Sequence, residues 1–79
     1  MQFSSQIRAA RALLGWPQSR LARAAGIGLA TLQRIEQREG LVKGNFSTVL
    51  KIQKALENAG VSFSVEGGEI GVRLLKKRR

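Results

Sequence analysis

The chain contains no cysteine, no histidine, no tyrosine and no aspartate among its 79 residues. Each absence removes a class of function. Without cysteine there is neither a disulfide nor a thiolate metal site to support a small core. Without histidine and aspartate the usual general bases, zinc ligands and paired-Asp sites disappear, and the five remaining acidic residues are scattered glutamates. Serine and threonine have no evident activating partner. An enzyme is therefore not expected, and neither is a metal or other cofactor. Long hydrophobic runs are missing too: no stretch approaches a membrane span, and residues 1–11 have no hydrophobic signal core, so the expected location is cytoplasmic. Aromatic residues make up 5% of the chain, and they form no stacking platform for single-stranded RNA.

Positive charge, by contrast, is abundant. Fourteen Lys and Arg stand against five Glu, a net charge of +9. Residues 1–60 hold nine cations and three glutamates, and residues 61–79 hold five and two, so both parts are basic. Such a surface gains affinity for a polyphosphate by releasing its counterions and loses it steeply as salt rises. High net charge also simply maintains solubility, and composition alone does not separate the two.

The separating feature is the run from Gln18 to Gln37, QSRLARAAGIGLATLQRIEQ. Leu21 and Ala25 lie four apart on one helical face, and Leu32 and Ile35 lie three apart on a second. Ala22 sits beside the first stripe, where a small side chain lets two helices cross closely. Gly26 falls where the first helix must stop and the chain must turn, commonly with positive φ. Ile27 fills the gap between the helices. The second helix starts near Gly28 and leaves Leu29, Ala30, Thr31 and Arg34 on or near the side away from the stripe, the side a DNA groove would meet.

From Arg11 to Glu36, RALLGWPQSRLARAAGIGLATLQRIE resembles the phage repressor and Cro family of helix-turn-helix DNA-binding domains, also called the xenobiotic-response-element type. The likeness extends from Ser4 to about Gly60. It implies an all-α, lambda-repressor-like helical bundle that places its recognition helix in the major groove of double-stranded DNA. It also implies a structural ion pair between Arg11, near the end of helix 1, and Glu36, near the end of the recognition helix. Gln18 matches a family glutamine that anchors to a phosphate and supports the recognition helix. Lys43 and Asn45 lie in the loop that relatives use for phosphate contacts.

Other residues on this face keep two readings each. Arg34 reaches either a guanine edge or a phosphate. Gln33 is either a second polar reader or a flank residue. Thr31 contacts a phosphate or a thymine methyl, or else bonds back to its helix. Leu29 and Ala30 match positions where relatives often put glutamine or serine; they either touch thymine methyls or, for Leu29, pack within the protein. Gly28 replaces the usual Ser or Thr cap and leaves N–H groups open to a phosphate. Trp16 covers the core with its ring or also donates its indole N–H outward to a phosphate, and Arg20 and Arg23 read as a solvated face.

Along the chain, helix 1 is predicted to begin after Ser4 or Ser5, both good N-caps, and to run to about Leu14 with Ile7, Ala10 and Leu14 inward. Gly15 ends it, and Pro17 stands at or next to the first turn of helix 2. Helix 3 runs from about Leu29 to Arg38. After a loop with two glycines, helix 4 runs from Asn45 or Ser47 to Ala59, with Val49, Ile52 and Leu56 inward, Leu50 flanking and Gly60 as its stop.

Residues 61–75 then alternate apolar and polar around Gly67-Gly68, the pattern of a β-hairpin. The hairpin either closes the core or pairs with a second copy. The organisation expected is thus a DNA-binding domain over residues 1–60, a hairpin over 61–75 and a basic tail over 76–79. Its function is sequence-specific duplex binding by a transcriptional repressor acting as a homodimer. The alternative is an antitoxin or adaptor that binds a partner protein such as a toxin and uses DNA binding for autoregulation.

Overall fold

The computed structural model describes residues 1–2, 4–38, 40 and 44–75. Four helices, α1 (Ser4–Leu14), α2 (Gln18–Ala25), α3 (Leu29–Gln37) and α4 (Phe46–Asn58), precede two strands, β1 (Val61–Glu66) and β2 (Glu69–Leu74). Ile7 and Ala10 of α1, Leu21, Ala22 and Ala25 of α2, and Leu32 and Ile35 of α3 converge with Ile52 and Leu56 of α4 in one buried core. Trp16 and Ile27, which flank α2, pack against its margin together with Leu14. Removing these side chains from water is the main force holding the bundle together.

Local chemistry sets the element ends. Pro17 is extended, with φ −72° and ψ 163°, and its carbonyl accepts from the N–H groups of Arg20 and Leu21, so its own missing N–H costs nothing. Gly26 is left-handed at φ 71°; its N–H and that of Ile27 return to the carbonyls of Arg23 and Ala22, which ties off the end of α2. Asn45 caps α4, its Oδ1 accepting from the Ser47 N–H at 2.8 Å.

Two expectations change. Ser4 does not serve as a capping acceptor. It is buried at the start of α1, and its hydroxyl donates to the carbonyls of Arg38 and Gly40 while its N–H donates to Gly40 at 3.0 Å. Val49 is half-buried rather than part of the core. The first turn of α4 borders a surface cleft, so the interior contribution of this helix rests on Ile52 and Leu56.

The hairpin turns at Gly67-Gly68, both at positive φ (54° and 80°), as a two-residue turn with right-handed twist requires. Its antiparallel register pairs Val61 with Leu74, Phe63 with Val72, and Val65 with Ile70. These six share one face, because directly opposed residues point the same way. The face is packed near the helices and bare at the tip. Val61 is buried, Phe63 and Val72 are half-buried, and Val65 and Ile70 are 44% and 46% exposed. β2 lies against α1 and β1 against α4. The buried Gln6 amide fastens the sheet from below, donating to the carbonyls of Ser64 and Gly71 at 3.4 and 3.3 Å, while its Oε1 accepts from the Gln2 N–H. The hairpin therefore packs on the bundle, and its tip extends past it.

Candidate nucleic-acid interface

Helix α3 has two unlike faces. Leu32, Ile35 and Glu36 are buried, whereas Leu29, Ala30, Gln33 and Arg34 are exposed and Thr31 is half-buried. The exposed set occupies the side opposite the core, so it is free to meet an external ligand. Leu29 is 41% exposed and stands apart from the hydrophobics packed against the core. Of its two sequence readings, internal packing is the one this position disfavours. Gly28 precedes the helix with φ −71° and ψ 146° and supplies no side-chain cap, so the N–H groups of the first turn face outward. At this end the helix presents carbon and backbone N–H rather than polar side chains.

The other end is held by α1 and α2. The buried Glu36 carboxylate accepts from Arg11 Nε at 2.9 Å and Arg11 Nη2 at 2.8 Å, a bidentate pair, and from Gln18 Nε2 at 3.1 Å. Arg11 Nη1 donates in turn to the Trp16 carbonyl at 3.1 Å. Two charges taken from water are sustainable only when their remaining bonding capacity is met this fully. Arg8 donates to the backbone carbonyl of Glu36, and Ser4 donates to that of Arg38. The last carbonyls of a helix lack partners within it, and here α1 provides them, with a cation at the negative end of the dipole. Gln18 is thus a support of the recognition helix, its amide shared with the ion pair.

Sequence reading missed the surface beside Arg34. A cleft of about 300 Å³ separates the outer side of α3 from the start of α4. Thr31 and Arg34 line it from α3 and Arg38 from just past the helix end, Asn45 and Thr48 from the α4 side, with Ile35 as its apolar lining. Arg34 Nη2 lies 3.4 Å from Thr31 Oγ1. The i, i+4 spacing of Arg34 and Arg38 was the available signal, since it puts both on one face. Asn45 spends its carbonyl oxygen on capping and on the Ser47 hydroxyl, each at 2.8 Å, which leaves its amide nitrogen for an outside acceptor. Lys43 and the basic tail lie outside the described residues. Arg20 is not merely a solvated cation, because its guanidinium stacks over Trp16 at 4.8 Å from the ring centroid. Arg23 is exposed.

Among the described residues no helix is long and apolar enough to cross a membrane, and no group of acidic side chains is arranged to hold a metal. A search of curated proteins found no match. A family model described as helix-turn-helix matches residues 7–63, which run from α1 into β1 and include every element that builds the surface just described. An exposed outer face on a helix held from behind by an ion pair, and reached through a glycine turn, suits docking in a DNA groove. The chain belongs to the Cro/C1-type, or xenobiotic-response-element, family of helix-turn-helix domains, and is accordingly a DNA-binding protein of the transcription-regulator class rather than an enzyme.

Proposed function

We propose that the protein is a transcriptional repressor that binds operator DNA as a homodimer, with the first two turns of α3 in the major groove. The observation that carries this reading is the division of α3 into a clamped inner face and an exposed outer face led by Leu29 and Ala30. Those two side chains suit the methyl groups of thymine, the one apolar mark in the major groove, so preference for A·T steps arises by contact without hydrogen bonds. Gln33 supplies a polar contact beside them. Backbone phosphates are met by the open N-terminus at Gly28, by Gln18 and by Asn45 and Lys43. Repression follows from occupying sequence that polymerase needs.

One α3 spans too few base pairs for useful selectivity, so two copies on an inverted repeat are expected. The hairpin offers a route to pairing, since Val65 and Ile70 extend its apolar face and, among the described residues, no further strand pairs with either edge. The same exposed pair, together with Phe46 at 77% exposure, supports a second reading in which the chain is an antitoxin or adaptor holding a partner protein. Selection of bound sequences from a random duplex library, with sedimentation of the free protein, tests both. Enrichment of an inverted repeat and a dimeric mass support the repressor. Absence of any enriched sequence refutes it, and co-purification of a neighbouring gene product that survives high salt favours the adaptor.

A further inference from the structure

We infer that the cleft between α3 and α4 is a seat for one backbone phosphate of the DNA, held by Arg34 and Arg38 together, and that Arg34 is a phosphate ligand rather than a base reader. The inference deepens the proposed function and rests on duplex binding by α3. Arg34 and Arg38, four residues apart across the end of α3, line the same wall. Two guanidinium groups facing one cavity repel each other until an anion lies between them, and a phosphodiester is the anion that duplex DNA supplies.

The opposite wall is complementary. Thr48 brings a hydroxyl from the first turn of α4, and Asn45 an amide whose oxygen is already committed to the helix cap. The positive end of the α4 dipole adds to the same field. Thr31 Oγ1, which also lines the cleft, lies 3.4 Å from Arg34 Nη2, so that guanidinium lies back against α3 at the cleft wall. The cleft is also in the right place. It flanks the exposed side of α3 from Thr31 to Arg38, beside the reading residues, where the sugar-phosphate wall of the major groove rises along an inserted helix.

Arg38 is exposed, and among the described residues its backbone carbonyl, not its side chain, makes the bond to the bundle, so its side chain is a suitable one to remove. The experiment compares wild type, Arg34→Ala, Arg38→Ala and Thr48→Glu on a preferred duplex, on single-base variants of it and on random duplex, each across a salt series. Expected for both arginine variants is weaker binding by a similar factor on all duplexes, with the slope of log affinity against log salt shallower by about 1 for each. Thr48→Glu, which puts an anion in the seat, should weaken all duplexes more than either. A thermal melt of each variant checks that the fold is retained. An unchanged slope for Arg38→Ala, or a loss of preference at one base pair for Arg34→Ala, overturns the inference. Failure of wild type to prefer any duplex over random overturns the repressor reading instead, and the slope on random duplex still decides whether the cleft holds a phosphate.

Discussion

The two ends of α3 are built on opposite principles. From Glu36 onward the helix is fastened by Arg8, Arg11, Gln18 and Ser4, four side chains from two other helices. At the other end no side chain caps the helix at Gly28, and Leu29 is exposed. The difference shows how a domain of this size fixes a reading element without covering it. Rigidity is supplied at the end away from the reading residues, and the reading end is left with small and apolar groups that need no partner when DNA is absent. Polar readers at the same place would have to be solvated in the free protein and stripped on binding.

The sharpest way to break the contrast is at the clamp. Glu36→Ala would leave Arg11 and Gln18 facing an empty buried site, and should cost about 3 kcal/mol of folding stability, measured by denaturant unfolding. Arg11→Met together with Glu36→Leu, which removes both charges, should recover much of that loss. Next in size is Arg8→Ala, which takes a cation from the carbonyl end of α3; about 1.5 kcal/mol is expected in the same assay.

The open end should respond differently, losing binding and keeping stability. Leu29→Ala is expected to weaken the preferred duplex by about 1 kcal/mol, roughly fivefold, with the loss confined to sites carrying thymine at the contacted step. Its effect on unfolding should stay within about 0.5 kcal/mol. The smallest effect runs the other way. At Gly28 the backbone is ordinary for any residue, and an added Cβ would meet only Thr31 Oγ1 at 3.8 Å. Gly28→Ser should therefore stabilise the helix by about 0.5 kcal/mol through a new cap. If the open N–H groups also receive a phosphate, the same change weakens DNA binding, which a titration at low salt would register.

The inner side of this arrangement was legible in the sequence because apolar spacing and a glycine turn are local signals. Leu21, Ala22, Ala25, Leu32 and Ile35 fall on stripes whose period can be counted, and the register of the hairpin follows from its alternation about Gly67-Gly68. Ser4 was misread for a related reason. A serine at a helix start looks the same whether its hydroxyl turns inward to its own helix or outward to Arg38 and Gly40, and only the position of the distant chain decides. The same limit applies to the cleft. Arg34 was singled out because it lies on the outer face of α3, but Arg38 and Thr48 become its neighbours only when α4 is set down beside α3. Gln18 and Glu36 are 18 residues apart, and no periodicity links them.

The first turn of α1 has a consequence for how the molecule comes apart. Ser4 holds the exit of α3, and Gln6, two residues later, holds the backbone of both hairpin strands. One turn of helix is thus a common fastening for two elements that do not rely on each other otherwise. A hairpin tethered in that way should not fray as an independent unit. Its central amides should exchange with solvent at the same rate as those at the end of α3, both released in a single cooperative opening of the N-terminal turn.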